Sequence, residues 1–109
     1  MNAISNLLRI LSMTEAERER LAMLAEECGE IVQMVGKILR HGYESYHPND
    51  PNKITNRVHL TNELNDLNGV LFGMCKYEDL NVHDFSLATA VSAWDRKVKW
   101  SYHQEKNDD

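Results

Sequence analysis

The sequence predicts an all-α protein, a small four-helix bundle that forms a single domain over residues 1–109. Leu, Ala, Glu, Lys and Met are frequent, whereas there are only five Gly and two Pro, and this composition favours helix. Apolar residues recur at intervals of three and four, and no segment shows the alternation of a strand. A chain this short buries proportionally little surface, so we expect self-association to complete the bundle.

The first two helices follow from periodicity and capping signals. The first is predicted over roughly Ala3 to Ser12, with Ile4, Leu7, Leu8 and Leu11 at helical spacing. Thr14 and Glu17 match the capping-box pattern, so a long second helix begins there. Its last turn is basic and Gly42 is its stop signal. Its predicted apolar face contains Leu21, Leu24, Cys28, Ile31, Val32, Val35, Ile38 and Leu39.

The second half of the chain is predicted as a loop followed by two more helices. The segment GYESYHPNDPNKITN holds both prolines and lacks apolar periodicity, so it is a loop, and loops of this length in small domains are often functional. The third helix is predicted from near Thr55 to about Lys76. A fourth helix, capped by Asp84 or Ser86, is predicted to reach about His103, which leaves 103–109 as a solvated tail.

Charge and cysteine usage narrow the possible functions. The net charge of −5 argues against a nucleic-acid polymer as the partner, because phosphate backbones require a basic face. No apolar run approaches the roughly 20 residues that span a bilayer, so we expect no membrane segment. Cys28 and Cys75 form no CxxC pair and lie inside apolar runs, where free thiols are usually small core residues. We therefore expect a cytoplasmic protein.

Two predicted helices carry paired carboxylates within apolar surroundings. Glu27 and Glu30 are three residues apart in the second helix, and Glu63 and Asp66 have the same spacing in the third. Residues at this spacing are neighbours on one helix face, so antiparallel packing would bring four carboxylates together. Carboxylates that close repel one another and need a cation. An all-oxygen ligand set suits Mg²⁺ first and Mn²⁺ next.

The acids allow one other interpretation and argue against a second. Each acidic pair is also what an ordinary solvated helix face would contain. A di-iron bundle would use Glu-x-x-His motifs on helices, and the only such spacing, from Glu44 to His47, falls in the loop.

The stretches that carry the acids resemble a known family. EECGE followed by ELND resembles the EExxE…ExxD signature of the all-α nucleoside triphosphate pyrophosphohydrolases, the MazG-like superfamily. The flanking segments LAEECGEIVQMVGKILRHG and NRVHLTNELNDLNGVL are similar to short MazG-like proteins of phages and bacteria, and the similarity covers roughly Leu21 to Met74. The resemblance implies a helical bundle that forms a dimer or tetramer. It also implies Mg²⁺-dependent cleavage of a (d)NTP to (d)NMP and pyrophosphate, a house-cleaning activity on the nucleotide pool.

The resemblance also implies roles for individual acids. Glu27, Glu30, Glu63 and Asp66 correspond to the family's metal ligands. Glu26, the first acid of the motif, would position the metal ligands without binding the metal, or act as the base that orients the attacking water. The catalytic set implied for the second helix is therefore Glu26, Glu27 and Glu30.

The basic residues implied for the substrate lie further along. KILRHG resembles the Lys-x-x-Arg segment that follows the acids in the family, so Lys37 and Arg40 are the implied phosphate contacts, although basic residues are also common at helix C-termini. Lys97 corresponds to a Lys-rich last helix. The long loop is an insertion that could close over the substrate, and its candidate polar contacts are His47, Lys53 and Asn56.

A non-enzymatic interpretation belongs to a different class of function. The same acids would bind a metal or a nucleotide, and the bundle would serve as a regulatory or partner-binding module. Trp94, Trp100 and Tyr102 fit this picture or a homodimer, because such aromatics more often fill a core or an interface than stack on a base.

Overall fold

The computed structural model describes residues 2–106, apart from the side chains of residues 9–11. Within this range it is helical, and the prediction of an all-α chain with four α-helices is confirmed. The only β-type pairing in the described range is an isolated antiparallel bridge between Tyr46 and Thr55. The elements are α1 (Ala3–Leu11), α2 (Glu15–His41), α3 (Asn56–Lys76), a 3-10 helix (Val82–Asp84) and α4 (Leu87–Val98).

The chain divides into a first unit that ends at Asp79 and a second that begins at Leu80. The first unit contains α1, α2 and α3, and the second contains the 3-10 helix and α4. No described helix is long and apolar enough to cross a membrane.

The fourth helix is shorter than predicted. Ser86 caps α4 through a capping box with Thr89, and the helix ends at Val98 instead of near His103. A tight turn ends the helix there, because the backbone N–H and the hydroxyl of Ser101 both donate to the carbonyl of Val98. The predicted tail from 103 falls partly outside the description, since 107–109 are not covered.

The signals predicted at the ends of α2 are both present. The Thr14 hydroxyl oxygen accepts from the Glu17 N–H, and the Glu17 carboxylate accepts from the Thr14 N–H, which completes the capping box. At the other end Gly42 has φ 92°, a conformation that favours glycine, and its N–H donates to the carbonyl of Ile38 at 2.7 Å.

The helices α2 and α3 pack as an antiparallel pair that is tied at both ends. Near the start of α2, Arg20 contacts Asp79, which lies just beyond α3. At the opposite end the amide Nδ2 of Asn56 donates to the carbonyl of Gly42 at 3.1 Å. The backbone N–H of Asn56 also donates to Ser45, at 2.8 Å. These contacts fix which residues of the two helices face each other.

The connection between the two helices is an ordered loop. The Asp50 carboxylate accepts hydrogen bonds from the backbone N–H groups of Asn52 and Ile54, at 2.9 and 3.0 Å, and these bonds lower the pKa of Asp50. Arg57 stacks on the Tyr43 ring, 4.2 Å from its centroid, and pairs with Glu44 at 2.6 Å. The loop is therefore held to the start of α3 by its own side chains.

The predicted apolar core is largely exposed. Met74, at 3% exposure, is the one apolar residue of the first unit's described side chains that is buried. Val32 and Leu39, predicted for the buried face of α2, are 70% and 82% exposed, and Cys28 is exposed as well. The physical reason is geometric: the apolar residues of α2 extend around more of its circumference than the stripe that one neighbouring helix covers. Trp94, Trp100 and Tyr102 are also exposed.

The Arg20–Asp79 pair should stabilise the first unit. The guanidinium approaches both carboxylate oxygens, at 2.5 and 2.8 Å, and the two side chains are only 17% and 12% exposed. We expect Arg20→Met to lower the melting temperature by about 5 °C or more, because the Asp79 carboxylate is then left unpaired and largely buried. Circular dichroism melts measure this difference.

The control is Arg18→Met, which removes an exposed ion pair with Glu15 and should shift the melting temperature by less than about 2 °C. Acid should remove the difference between wild type and Arg20→Met. Arg20 lowers the pKa of Asp79, so its stabilisation is complete above the ordinary aspartate pKa of about 3.9 and is lost as the pH falls through the lowered value. Equal effects of the two substitutions at neutral pH would contradict this account.

Candidate metal centre

Three of the four predicted ligands meet between α2 and α3. One carboxylate oxygen from each of Glu27, Glu63 and Asp66 lies within 4.8 Å of the others. Oxygens that share an Mg²⁺ at about 2.1 Å can be at most about 4.2 Å apart, so ion binding needs only a small inward adjustment of these side chains. Glu27 and Glu63 are partly buried, whereas Asp66 is exposed. The antiparallel packing therefore brings together three of the four carboxylates that the spacing predicted to converge.

The fourth predicted ligand, Glu30, lies beside this group. It is not one of the three residues whose oxygens converge, but it is near enough to Glu63 for the two carboxyl groups to interact electrostatically. A hydrogen bond with Glu63 and the negative charge of Glu63 raise the pKa of Glu30.

Two oxygens of the cluster lack a partner. Glu27 Oε2 and Glu63 Oε2 are buried and accept no hydrogen bond from the described residues. Burial, followed by the charges of Glu30 and Asp66, raises the pKa of Glu27. The ion pairs among the described side chains involve none of these carboxylates. Buried, unpartnered carboxylate oxygens are costly, and an oxygen-only donor set is what Mg²⁺ or Mn²⁺ binds, so the residues fit the expected cation.

Glu26 is placed next to the cluster without joining it. Its side chain is exposed and lies about 100° around the helix axis from that of Glu27. Its negative charge nevertheless contributes to raising the pKa of both Glu27 and Glu30. It is thus close enough to act on the cluster electrostatically.

A wide groove adjoins the carboxylates on the side of the Arg20–Asp79 pair. Its volume is about 1170 Å³, and both Glu27 and Asp66 line it. Met23 and Val70 contribute apolar surface, and a Cβ added at Gly69 would meet no atom within 4 Å, so the groove is open there. Nothing in the sequence pattern predicted this groove, because its walls come from both helices.

A second cavity lies towards the loop, and we call it the cationic cavity. Its volume is about 520 Å³, and the lining residues that define it are Lys37, Arg40, His41, His47, Asn56 and His59. The sequence analysis named Lys37, Arg40, His47 and Asn56. His41 was not among the residues predicted for the site, and Lys53, the remaining one of the three loop candidates, does not line the cavity.

The groove and the cationic cavity lie along one face of the α2–α3 pair. Glu27 and Met34, which line the groove and the cavity respectively, are seven residues apart on α2, and Asp66 and His59 are seven apart on α3. Seven residues are nearly two turns of helix, so such positions share a face. The carboxylate cluster therefore lies between the two spaces. Lys97 is exposed on α4 in the second unit, and its role stays a prediction.

Comparison of the chain with protein-family models, with curated proteins and with solved structures gave no match.

Metal binding should be visible as stabilisation. We expect millimolar Mg²⁺ or Mn²⁺ to raise the melting temperature at pH 8 by several degrees, because a ligand that binds only the folded state stabilises it. Glu27→Gln should abolish this shift. Glu19→Gln, an exposed acid on the same helix, is the matched control and should retain it.

The same variant should have the opposite effect without metal. Because the pKa of Glu27 is raised, its contribution to stability is present at low pH and is lost as the pH rises through the raised value. Metal-free Glu27→Gln should therefore melt about 2 °C or more above metal-free wild type at pH 8, and the gap should close near pH 4. A metal-free variant that melts below wild type at pH 8 would show that the carboxylate is a structural group.

Proposed function

We propose that the protein is a Mg²⁺-dependent nucleoside triphosphate pyrophosphohydrolase that converts a (d)NTP to (d)NMP and pyrophosphate and so cleans the nucleotide pool. The observation that carries the proposal is the convergence of Glu27, Glu63 and Asp66, with Glu30 beside them and two buried oxygens without partners. The reaction itself is taken from the resemblance of EECGE and ELND to the MazG-like signature.

The acids would hold the metal and manage the proton of the attacking water. Glu27, Glu63 and Asp66, completed by Glu30, are the ligands in this proposal. Mg²⁺ supplies charge neutralisation on the phosphates and a lowered pKa of bound water. The water oxygen forms a bond to the α-phosphorus, the bond from that phosphorus to the bridging oxygen breaks, and pyrophosphate leaves with the electron pair. Glu26, beside the cluster but outside it, is available to accept the proton of the water.

The basic residues would hold the phosphates. Lys37 and Arg40 line the cationic cavity, so both are placed to contact an anion there, and they carry the roles that the resemblance implies. Lys97 keeps the substrate-binding role that the resemblance implies for it. The net charge of −5 supports a small nucleotide substrate over a nucleic-acid polymer, and the proposed activity belongs in the cytoplasm with the nucleotide pool.

We also propose that two or four copies assemble. Large apolar side chains on the first unit are exposed, among them Val32, Leu39 and Phe72 at 70% or more. An interface between copies would cover these side chains and remove their apolar surface from water. This is the physical reason for proposing a dimer or tetramer.

The activity test is a panel of (d)NTPs with Mg²⁺, with nucleoside monophosphate and pyrophosphate measured together. We expect pyrophosphate release in equal amount to monophosphate. Glu30→Gln should lower kcat by about 100-fold or more, because it removes one carboxylate that holds the ion. Glu19→Gln, which alters an exposed acid of the same helix, should retain the activity. Nucleotide binding without any turnover would contradict the proposed reaction and favour a non-catalytic binding module.

The assembly test is sedimentation velocity at micromolar concentration. The mass obtained from the sedimentation of wild type should be two or four times the chain mass of 12.6 kDa. Leu39→Lys should shift the protein towards monomer, because a charge then lies in the apolar interface. Gln33→Lys, which introduces the same charge at an exposed polar position of α2, is the control and should leave the assembly intact. A monomeric wild type would contradict the proposal.

A further inference from the structure

The cationic cavity collects positive charge within an acidic protein. Lys37 and Arg40 are basic side chains, and three histidines whose rings can donate hydrogen bonds, His41, His47 and His59, line the same space. No aspartate or glutamate is among the residues that line it. In a chain with a net charge of −5, a space lined in this way favours an anion.

A buried side-chain amide, that of Asn56, forms part of the cavity wall. Asn56 is 8% exposed, and one N–H of its Nδ2 is used on the carbonyl of Gly42. The other N–H of that amide has no partner among the described residues. Because the backbone N–H of Asn56 also donates to Ser45, the loop and the first turn of α3 form a fixed wall. The cavity is thus part of the folded first unit and is more than a gap between exposed side chains.

Asp50, an acid close to His47 and His59, is already hydrogen-bonded. Asp50 accepts two backbone hydrogen bonds, and its charge interacts with His47 and His59, which helps to lower the pKa of Asp50. His47 is itself oriented, since its Nδ1 accepts from the N–H of Asn49 at 3.1 Å. The Nε2 edge of His47 therefore remains for a ligand.

The cavity lies about one helical turn from the carboxylates on both helices. Met34 lines it and follows Glu30 by four residues, and His59 lines it and precedes Glu63 by four. Four residues correspond to about 6 Å along a helix axis. A phosphate chain whose reacting phosphorus lies at the acids would therefore have its distal phosphates in this cavity. The volume of about 520 Å³ falls within the range of small-molecule sites and is larger than one phosphate requires.

We propose that the cationic cavity binds a diphosphate group, with His47 and His59 as the residues that select for it. On the proposed function, this group is the pair of phosphates beyond the bond that is cleaved, and afterwards the pyrophosphate product. The cavity selects for the length of the phosphate chain. A nucleoside diphosphate places only one phosphate in the cavity and leaves some of its basic groups without a partner. Triphosphates are then preferred to diphosphates through contacts distant from the reacting atom.

The first experiment measures inorganic pyrophosphate and inorganic phosphate binding to the full chain by calorimetry, in buffer freed of divalent metal by a chelating resin. We expect pyrophosphate to bind at least about 10-fold more tightly than phosphate. Arg40→Gln and His47→Asn should each weaken it about 10-fold, equivalent to one charge-assisted contact. In His47→Asn the side-chain oxygen can still accept from the Asn49 N–H, so the loop is preserved. His83→Asn, an exposed histidine of the second unit, is the control and should bind as wild type does.

The second experiment separates the cavity from the reaction. Pyrophosphate should inhibit (d)NTP hydrolysis competitively, and His47→Asn should raise KM for the triphosphate and reduce the preference for triphosphate over diphosphate by about 10-fold. The protein could bind pyrophosphate through Arg40 and His47 and yet fail to hydrolyse any (d)NTP. That result would support the cavity assignment and refute the proposed function. Turnover with pyrophosphate binding unchanged by both variants would overturn the cavity assignment. Binding that fails to compete with triphosphate would also overturn it, since the anion would then be free pyrophosphate at a separate place.

Discussion

Repulsion between carboxylates on α2 and α3 is the constraint on which the site depends. The two helices pack so that oxygens of Glu27, Glu63 and Asp66 lie close together, with Glu30 near enough for Glu63 to raise its pKa. The raised pKa values of Glu27 and Glu30 both come from this crowding and from burial. A helix pair that served only for packing would gain stability by replacing these acids with apolar residues. The arrangement is physically reasonable when a cation occupies the space between the helices.

The ends of the helix pair keep the acids in register. Arg20 and Asp79 lock one end, and Asn56 binds the carbonyl of Gly42 at the other. Both ties lie well away from the carboxylates, so the repulsion at the centre acts against a framework that is fixed on either side. The same framework defines the two spaces along this face, the open groove near Arg20 and the cationic cavity near the loop. Charge is therefore separated along the helix pair, with acids at the centre and bases towards the loop.

Sequence reasoning predicted the features that depend on local spacing. The i, i+3 spacing of the acids, the capping box at Thr14 and the glycine stop at Gly42 follow from helix geometry, and all three are present. It did not predict that Glu30 lies outside the converging group, because that depends on how two helices rotate against each other. The exposure of Val32 and Leu39 could not be read from periodicity either, since an apolar stripe does not say how many neighbours cover it. The cationic cavity was predicted only in part: Lys37, Arg40, His47 and Asn56 were named separately, but only the folded loop brings His47 to the same space as Lys37 on α2 and His59 on α3.

The central claim is that the carboxylates between α2 and α3 are a cation site. An anomalous difference map from crystals grown with Mn²⁺ tests it most directly, because it locates the ion without reference to activity. The account predicts a peak within about 2.2 Å of carboxylate oxygens from Glu27, Glu63 and Asp66. A fully ordered site with no peak there, or a peak only elsewhere on the chain, would contradict it.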